Sequence, residues 1–196
     1  MPKAGSEDVR LVTDFTHLNR YVIRPVHPFP SALDITRKIK PGARFLAKMD
    51  ATKGYHQLQL DEDSRKLTTF LLPSGKFRYK RGPMGLSSTG DIWCQKSDAA
   101  ILGLSNCAKI VDDIITAAHS IPELEKLLRQ ILIKARQIGL TISKKKFRIS
   151  TTVKFAGYAI SSDGVKPDPV RVEAIRNFQK FDIPGCLLYT SDAADE

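Results

Sequence analysis

Two adjacent carboxylates sit inside an apolar, β-branched run, Lys109-Ile110-Val111-Asp112-Asp113-Ile114-Ile115. Burying an ionised carboxylate costs several kcal/mol unless a partner compensates. Solvated turns carry Asp-Asp pairs at little cost, but Ile and Val wall this pair in on both sides. The pattern predicts a strand, a tight acidic centre and a second strand over residues 109–117. Consecutive strand residues point to opposite faces, so one acid should aim inward and the other should support it. A bound cation would compensate the inward charge. A structural ion pair or a solvated turn is the alternative that the residues leave open.

A third acid, Asp50, ends another predicted strand, Phe45-Leu46-Ala47-Lys48-Met49-Asp50. If the two strands pair, Asp50 and Asp112 share a site of oxygen ligands. Carboxylate and carbonyl oxygens select hard cations such as Mg²⁺ or Mn²⁺. Two such ions, about 3.5–4 Å apart, can clamp an attacking 3′-hydroxyl and a pyrophosphate leaving group. Charge points to the same class of partner. The chain carries 31 Lys and Arg against 21 Asp and Glu, a net charge of +10. Residues 181–196 hold four of those acids (Asp182, Asp192, Asp195, Glu196) and no cation, so the body is more basic still. A body of that charge suits a polyanion, most often nucleic acid, with a plain solvated basic surface as the alternative.

Other classes are disfavoured. No apolar run approaches membrane-spanning length, and Met1-Pro2-Lys3-Ala4-Gly5 opens no signal-peptide core, so neither a membrane partner nor secretion is expected. Three cysteines without a C-x-x-C pair and four scattered histidines suggest no disulfide framework or zinc module. Reduced thiols fit a cytoplasmic setting, free or within particles.

Along the chain, residues 9–15 read as a strand, and residues 21–30, with Pro25, Pro28 and Pro30, as an extended crossing segment. Residues 55–60 alternate weakly. A hairpin is predicted from residues 68–72 and 76–80 around Pro73-Ser74-Gly75, with Phe77 and Tyr79 on one side. Residues 87–102 read as a helix stopped by Gly103. The clearest helix spans residues 120–139. It opens on a Ser120/Glu123 capping box with Pro122 in its first turn. It carries the stripe Leu124, Leu127, Leu128, Ile131, Ala135 and Ile138. Residues 152–160 read as one strand and residues 170–178 as a short helix. This mixed order argues α+β rather than a doubly wound parallel sheet. In residues 185–196 the charge flips to acidic and the periodicity stops, so they read as a non-native or disordered tail, with an ordinary acidic tail as the alternative.

Seven stretches stand together in one order. They are Arg10-Leu11-Val12-Thr13-Asp14-Phe15-Thr16-His17-Leu18-Asn19 followed by Arg24-Pro25-Val26-His27-Pro28-Phe29-Pro30, then Lys48-Met49-Asp50-Ala51-Thr52-Lys53-Gly54-Tyr55-His56-Gln57-Leu58, and Pro83-Met84-Gly85-Leu86. Ile110-Val111-Asp112-Asp113, Gly139-Leu140-Thr141-Ile142-Ser143-Lys144-Lys145-Lys146 and Phe155-Ala156-Gly157-Tyr158 complete the series. The set resembles the fingers and palm of reverse transcriptases, most closely those of gypsy-type LTR retrotransposons, over roughly residues 1–180.

The resemblance implies a right-hand polymerase fold. Fingers would span about residues 1–44 and 61–82, and the palm the remainder of 1–180. The palm would be ferredoxin-like, an antiparallel sheet with packed helices; no thumb is recognisable past Pro184. It implies RNA-directed DNA synthesis from dNTPs on an RNA or DNA template with primer, with two Mg²⁺ (or Mn²⁺) ions. The setting would be a polyprotein with RNase H and integrase regions. By position, Asp50 and Asp112 resemble the metal-binding pair, the Ala51 carbonyl a backbone ligand, and Asp113 the supporting acid. Tyr55 resembles the steric gate against a ribose 2′-hydroxyl. Lys3 and Arg10 resemble the cations that meet the triphosphate, and Met84 and Gly85 the loop against the nucleotide. Lys146 resembles the general acid toward pyrophosphate, and Phe155, Ala156 and Gly157 the primer grip. Departures from the pattern are Ile110 in place of Tyr, Thr16 in place of Arg, Gly90 in place of Pro and Trp93-Cys94 in place of Phe-Gln; none removes a metal ligand. A truncated, non-catalytic nucleic-acid-binding remnant is the rival reading.

Overall fold

The computed structural model describes residues 11–178. The predicted first strand does not form in its described part, residues 11–15. Asp14 Oδ1 accepts the Thr16 N–H at 2.8 Å and turns the chain into a one-turn helix, α1 (Thr16–Asn19). Phe15 is buried edge-on to Tyr79 instead of joining a ladder. After a turn at residue 21, the proline-bearing segment over residues 22–30 forms neither helix nor strand and leads to α2 (Ala32–Thr36).

The centre is a four-stranded sheet in the order β4-β5-β1-β6, with every neighbour antiparallel. Its strands are β1 (Phe45–Asp50), β4 (Cys107–Ile110), β5 (Asp113–Ala118) and β6 (Arg148–Ser150). The β1–β5 register sets Asp50 opposite Asp113 and Leu46 opposite Ala117. One face carries Leu46, Ile115 and Ala117, and packs on Ile35, Ile39, Val153, Phe155 and Ile160. The other carries Met49 and Ile114, and packs on Trp93, Cys94, Ile131 and Ala135. Those last residues belong to α4 (Ser87–Asp98) and α5 (Ile121–Gln137). Period-2 alternation in the strands and a period-3.6 stripe in α5 thus meet in one core.

α5 begins and ends where its sequence directs. Ser120 Oγ accepts the Glu123 N–H at 3.4 Å, while Glu123 Oε2 accepts the His119 N–H at 2.9 Å, one residue upstream of the reciprocal bond in a capping box. Gly139, at φ +68°, lets the chain leave. α4 stops at Asp98, short of Gly103, and turns fill residues 99–103.

Residues 54–57, within and beside the weakly alternating stretch, form a 3₁₀ turn. Two local readings are corrected or trimmed by the structure. The hairpin strands are short, β2 (Phe70–Leu72) and β3 (Gly75–Phe77), since Leu72 pairs with Gly75 across a two-residue turn. α3 (Glu62–Leu67) precedes them. Residues 152–160 are a second hairpin, not one strand: β7 (Thr152–Phe155) and β8 (Tyr158–Ser161) flank Ala156 at φ 53° and Gly157 at φ 86°. Two consecutive positive φ values are what a type I′ connection demands. β9 (Gly164–Pro167) completes that antiparallel sheet, and α6 (Pro169–Arg176) follows. Among the described residues no helix is long and apolar enough to cross a membrane. The predicted tail, residues 185–196, lies outside the described residues.

Candidate active site

Asp50 and Asp113 are cross-strand partners, so both side chains leave the sheet on one face. Like charges directly opposite repel, and each acid has its own lysine. Lys146 Nζ is 2.7 Å from Asp50 Oδ1, and Lys48 Nζ is 2.8 Å from Asp113 Oδ2. Lys48 stands two residues before Asp50 and therefore shares its face. It also donates to the Lys154 carbonyl at 3.2 Å, which ties the acid hairpin to β7.

Asp112 lies in the turn between β4 and β5, and its partnering is different. Its Oδ1 is buried and has no hydrogen-bond partner. The reason that it fits at all is Gly54: a Cβ there would stand 2.0 Å from Asp112 Oδ1 and 2.8 Å from the Trp93 ring. Burial holds the Asp112 carboxyl above the ordinary carboxylate range, and the neighbouring charge of Asp50 adds to that. Ala51 N–H donates to the Asp112 carbonyl at 2.9 Å, and Ser143 N–H to the Asp50 carbonyl at 2.8 Å. The structure therefore brings Asp50, Ala51, Asp112, Asp113 and Lys146 to one end of the sheet.

These donors fit a divalent cation in kind. They are hard oxygens, one of them buried and unpaired beside a second carboxylate. Among the described residues no three His, Cys, Asp or Glu side chains converge on one point. The lysines explain this, since they draw Asp50 and Asp113 to themselves while Asp112 packs inward.

Tyr55 sits half-buried in the 3₁₀ turn, against the same core as Trp93 and Cys94. Burial, then the Asp112 charge, raises its phenol pKa, so it remains a neutral ring. A Cβ added at Gly90 would stand 3.7 Å from the Tyr55 hydroxyl, an ordinary contact distance. Met84 is half-buried and Gly85 exposed. Gly85 has φ +91°, and a Cβ would come 2.9 Å from the Thr13 carbonyl, so this loop needs a glycine. Asn19 fastens it, donating to the Gly85 carbonyl and accepting from the Ser87 N–H, both at 2.9 Å. Phe155 is core, while Ala156 and Gly157 form the turn beyond it. Lys3 and Arg10 lie outside the described residues.

Several residues around the site escaped the sequence reading. Gln57 makes three bonds, to the carbonyls of Thr52 and Thr141 and from the Thr141 N–H, and so joins the 3₁₀ turn to the segment leading to Lys146. Asp91, its carboxylate fully buried, accepts from the Arg24 guanidinium and the His27 N–H and pins the crossing segment to α4. Arg24 holds the Asp91 carboxyl below the ordinary range. The i−2 spacing of Lys48 to Asp50 places it on that acid's face, but its pairing with Asp113 is made across strands. Gly54, Gln57 and Asp91 carry no such local signal, because their partners are distant in sequence.

An antiparallel sheet with an acidic hairpin beside a second acid-ended strand is the layout of a nucleic-acid polymerase palm. The chain belongs to the reverse transcriptase family: the family described as "Reverse transcriptase (RNA-dependent DNA polymerase)" matches residues 1–160. It is 30% identical over 175 residues to the Retrovirus-related Pol polyprotein from transposon opus of Drosophila melanogaster, with 87% of this chain and 17% of that protein covered. It is 30% identical over 186 residues to the Pol polyprotein from transposon gypsy of the same fly, covering 93% and 18%. The enzymatic polyprotein of Cestrum yellow leaf curling virus is 32% identical over 199 residues, covering 93% and 30%. The chain thus spans less than a third of each of these relatives. A foamy viral protease-reverse transcriptase in complex with double-stranded DNA shares the fold at a TM-score of 0.84 and 20% identity, covering 92% of this chain and 32% of that one. The foamy viral protein in complex with an RNA/DNA hybrid matches at 0.79 and 20% identity, covering 90% and 24%.

Proposed function

We propose that this chain is the fingers and palm of an RNA-directed DNA polymerase within a retroelement polyprotein. It would add dNTPs to a primer 3′-hydroxyl as a template directs. Fingers would comprise about residues 1–44 and 61–82, and palm the rest of 1–180. The observation that carries this reading is the unpaired, buried Asp112 Oδ1 beside Asp50, at the end of an antiparallel sheet. The relatives are Pol polyproteins, and the fold neighbours were solved on DNA and RNA/DNA hybrid. In such a polyprotein, RNase H and integrase regions would be its covalent neighbours.

Asp50 and Asp112, with the Ala51 carbonyl, would hold two Mg²⁺ or Mn²⁺ ions. Bound there, such ions supply charge stabilisation to the attacking and leaving oxygens. The 3′-hydroxyl would give up its proton to solvent water as its oxygen bonds to the α-phosphorus; the bond from that phosphorus to the oxygen bridging to the β-phosphate would break, and pyrophosphate would leave. Lys146, already at the site, would give pyrophosphate a proton, while Asp113 keeps Lys48 and the hairpin in place. Tyr55 would present its ring to a ribose 2′-hydroxyl and so favour dNTPs. Met84 and Gly85 would pack on the nucleotide, Lys3 and Arg10 would meet its phosphates, and Phe155, Ala156 and Gly157 would seat the primer end.

The test is Mg²⁺-dependent extension of an oligo(dT) primer on poly(rA) at low salt, with Asp112→Asn as control. Incorporation that vanishes in the variant supports the reading. Salt-sensitive binding without incorporation favours the non-catalytic remnant.

A further inference from the structure

Val111, at the tip of the acidic hairpin, has φ 50°. A β-branched residue rarely enters this left-handed region, and such a backbone persists only where its surroundings enforce it. Two side chains grip its carbonyl oxygen. Trp93 Nε1–H donates from α4 at 3.2 Å, and Lys109 Nζ donates from β4 at 3.3 Å. Both are deep: Trp93 is 0% exposed, and the Lys109 side chain 3%. Lys109 is itself held by Asp98 at 2.9 Å, whose other oxygen faces His27 Nε2 at 2.7 Å.

The gripped carbonyl and the Asp112 N–H belong to one planar peptide unit. Fixing that oxygen fixes the rotation of the unit, and with it the direction in which Asp112 leaves the backbone. On the other side of Asp112, the Ala51 N–H fixes the next carbonyl. Asp112 is therefore held at both flanking peptides, while its Oδ1 remains unpaired. A phenylalanine in place of Trp93 would fill most of the same space and offer no donor.

We propose that Trp93 and Lys109 act together as a carbonyl clamp, positioning residues that keep the Val111 turn left-handed and thereby aim Asp112. The consequence for cation binding rests on the reading of Asp112 as a ligand; the backbone claim does not.

The test uses the full 196-residue chain and amide NMR. Lys109→Met removes one donor, and a cavity of ≈290 Å³ beside Lys109 and Val111 leaves room for the new side chain. Trp93→Phe removes the other donor. Val111→Asn supplies a residue that accepts the left-handed region without a clamp. Lys109→Met is expected to shift and broaden the amide signals of residues 111–113 more than those of the remaining core. It should also weaken Mn²⁺ affinity about tenfold, as loss of ligand-orienting partners does. Adding Val111→Asn to Lys109→Met should restore both readouts. Unmoved 111–113 signals, or core-wide shifts that Val111→Asn does not rescue, would overturn the clamp. Should Trp93→Phe unfold the chain, the Lys109→Met pair still decides. A parent chain that binds no Mn²⁺ would remove the ligand reading of Asp112, and the amide signals would still judge the clamp.

Discussion

Asp112 is where folding and chemistry conflict. Its carboxylate is buried beside Asp50, and burial holds its pKa up in the folded chain. Between the unfolded and the raised folded value, the folded state binds more protons. Stability therefore falls as pH rises through that window, and the deficit persists above it. Asp112→Asn removes the deficit, by about 1 kcal/mol after allowance for partial solvent screening. In EDTA at pH 8 the variant should melt about 2–4 °C above the parent, and the two should converge toward pH 4. Added Mn²⁺ should reverse the order, because it stabilises the parent alone. A variant that melts below the parent at pH 8 in EDTA would mean that the carboxylate is satisfied in the fold. Gly54 tests the same contact from the other side. Gly54→Ala puts a methyl 2.0 Å from Asp112 Oδ1 and 2.8 Å from the Trp93 ring. It should cost about 1–3 kcal/mol in a urea titration, as overpacking does. It should also abolish Mn²⁺ binding, whereas a variant that keeps full affinity would place the cation elsewhere.

At the scale of elements, the β7–β8 hairpin holds strain that one substitution should relieve. Ala156 sits at φ 53° in the first position of its two-residue turn. Left-handed backbone costs an L-residue with a Cβ about 1–2 kcal/mol, and Asn tolerates it better. Ala156→Asn should thus raise the urea midpoint, by about 1 kcal/mol of stability. That turn was invisible in the sequence, because residues 152–160 keep an apolar pattern straight through Ala156-Gly157. β1 and α5 were legible for the opposite reason: their periodicity, caps and stops are all local. Residues 11–15 have strand composition but no partner strand among the described residues, and Asp14 bends them into α1. The acids Asp50, Asp112 and Asp113 could be read as one site from their apolar settings. The lysines that draw two of them apart, and the glycine that admits the third, depend on pairings made only by folding.

Over the whole molecule, the net charge of +10 makes any hold on nucleic acid strongly salt-dependent. With about four phosphate contacts, affinity for a primer–template duplex should fall roughly a hundredfold between 50 and 200 mM salt. Lys144, Lys145 and Lys146 form one exposed turn at the edge of the site, yet only Lys146 reaches Asp50. The run therefore divides by function. Lys144→Gln or Lys145→Gln should each lower the slope of log affinity against log salt by about one and leave the rate of a single addition unchanged. Lys146→Gln should leave that slope alone and slow single-nucleotide addition about a hundredfold, the scale of lost general-acid catalysis. Filter binding across a salt series and quenched single-turnover extension measure the two quantities on the same proteins. If Lys146→Gln flattens the salt slope as its neighbours do and spares the rate, Lys146 is a third phosphate contact. Its pairing with Asp50 would then be a counterion arrangement of the metal-free chain.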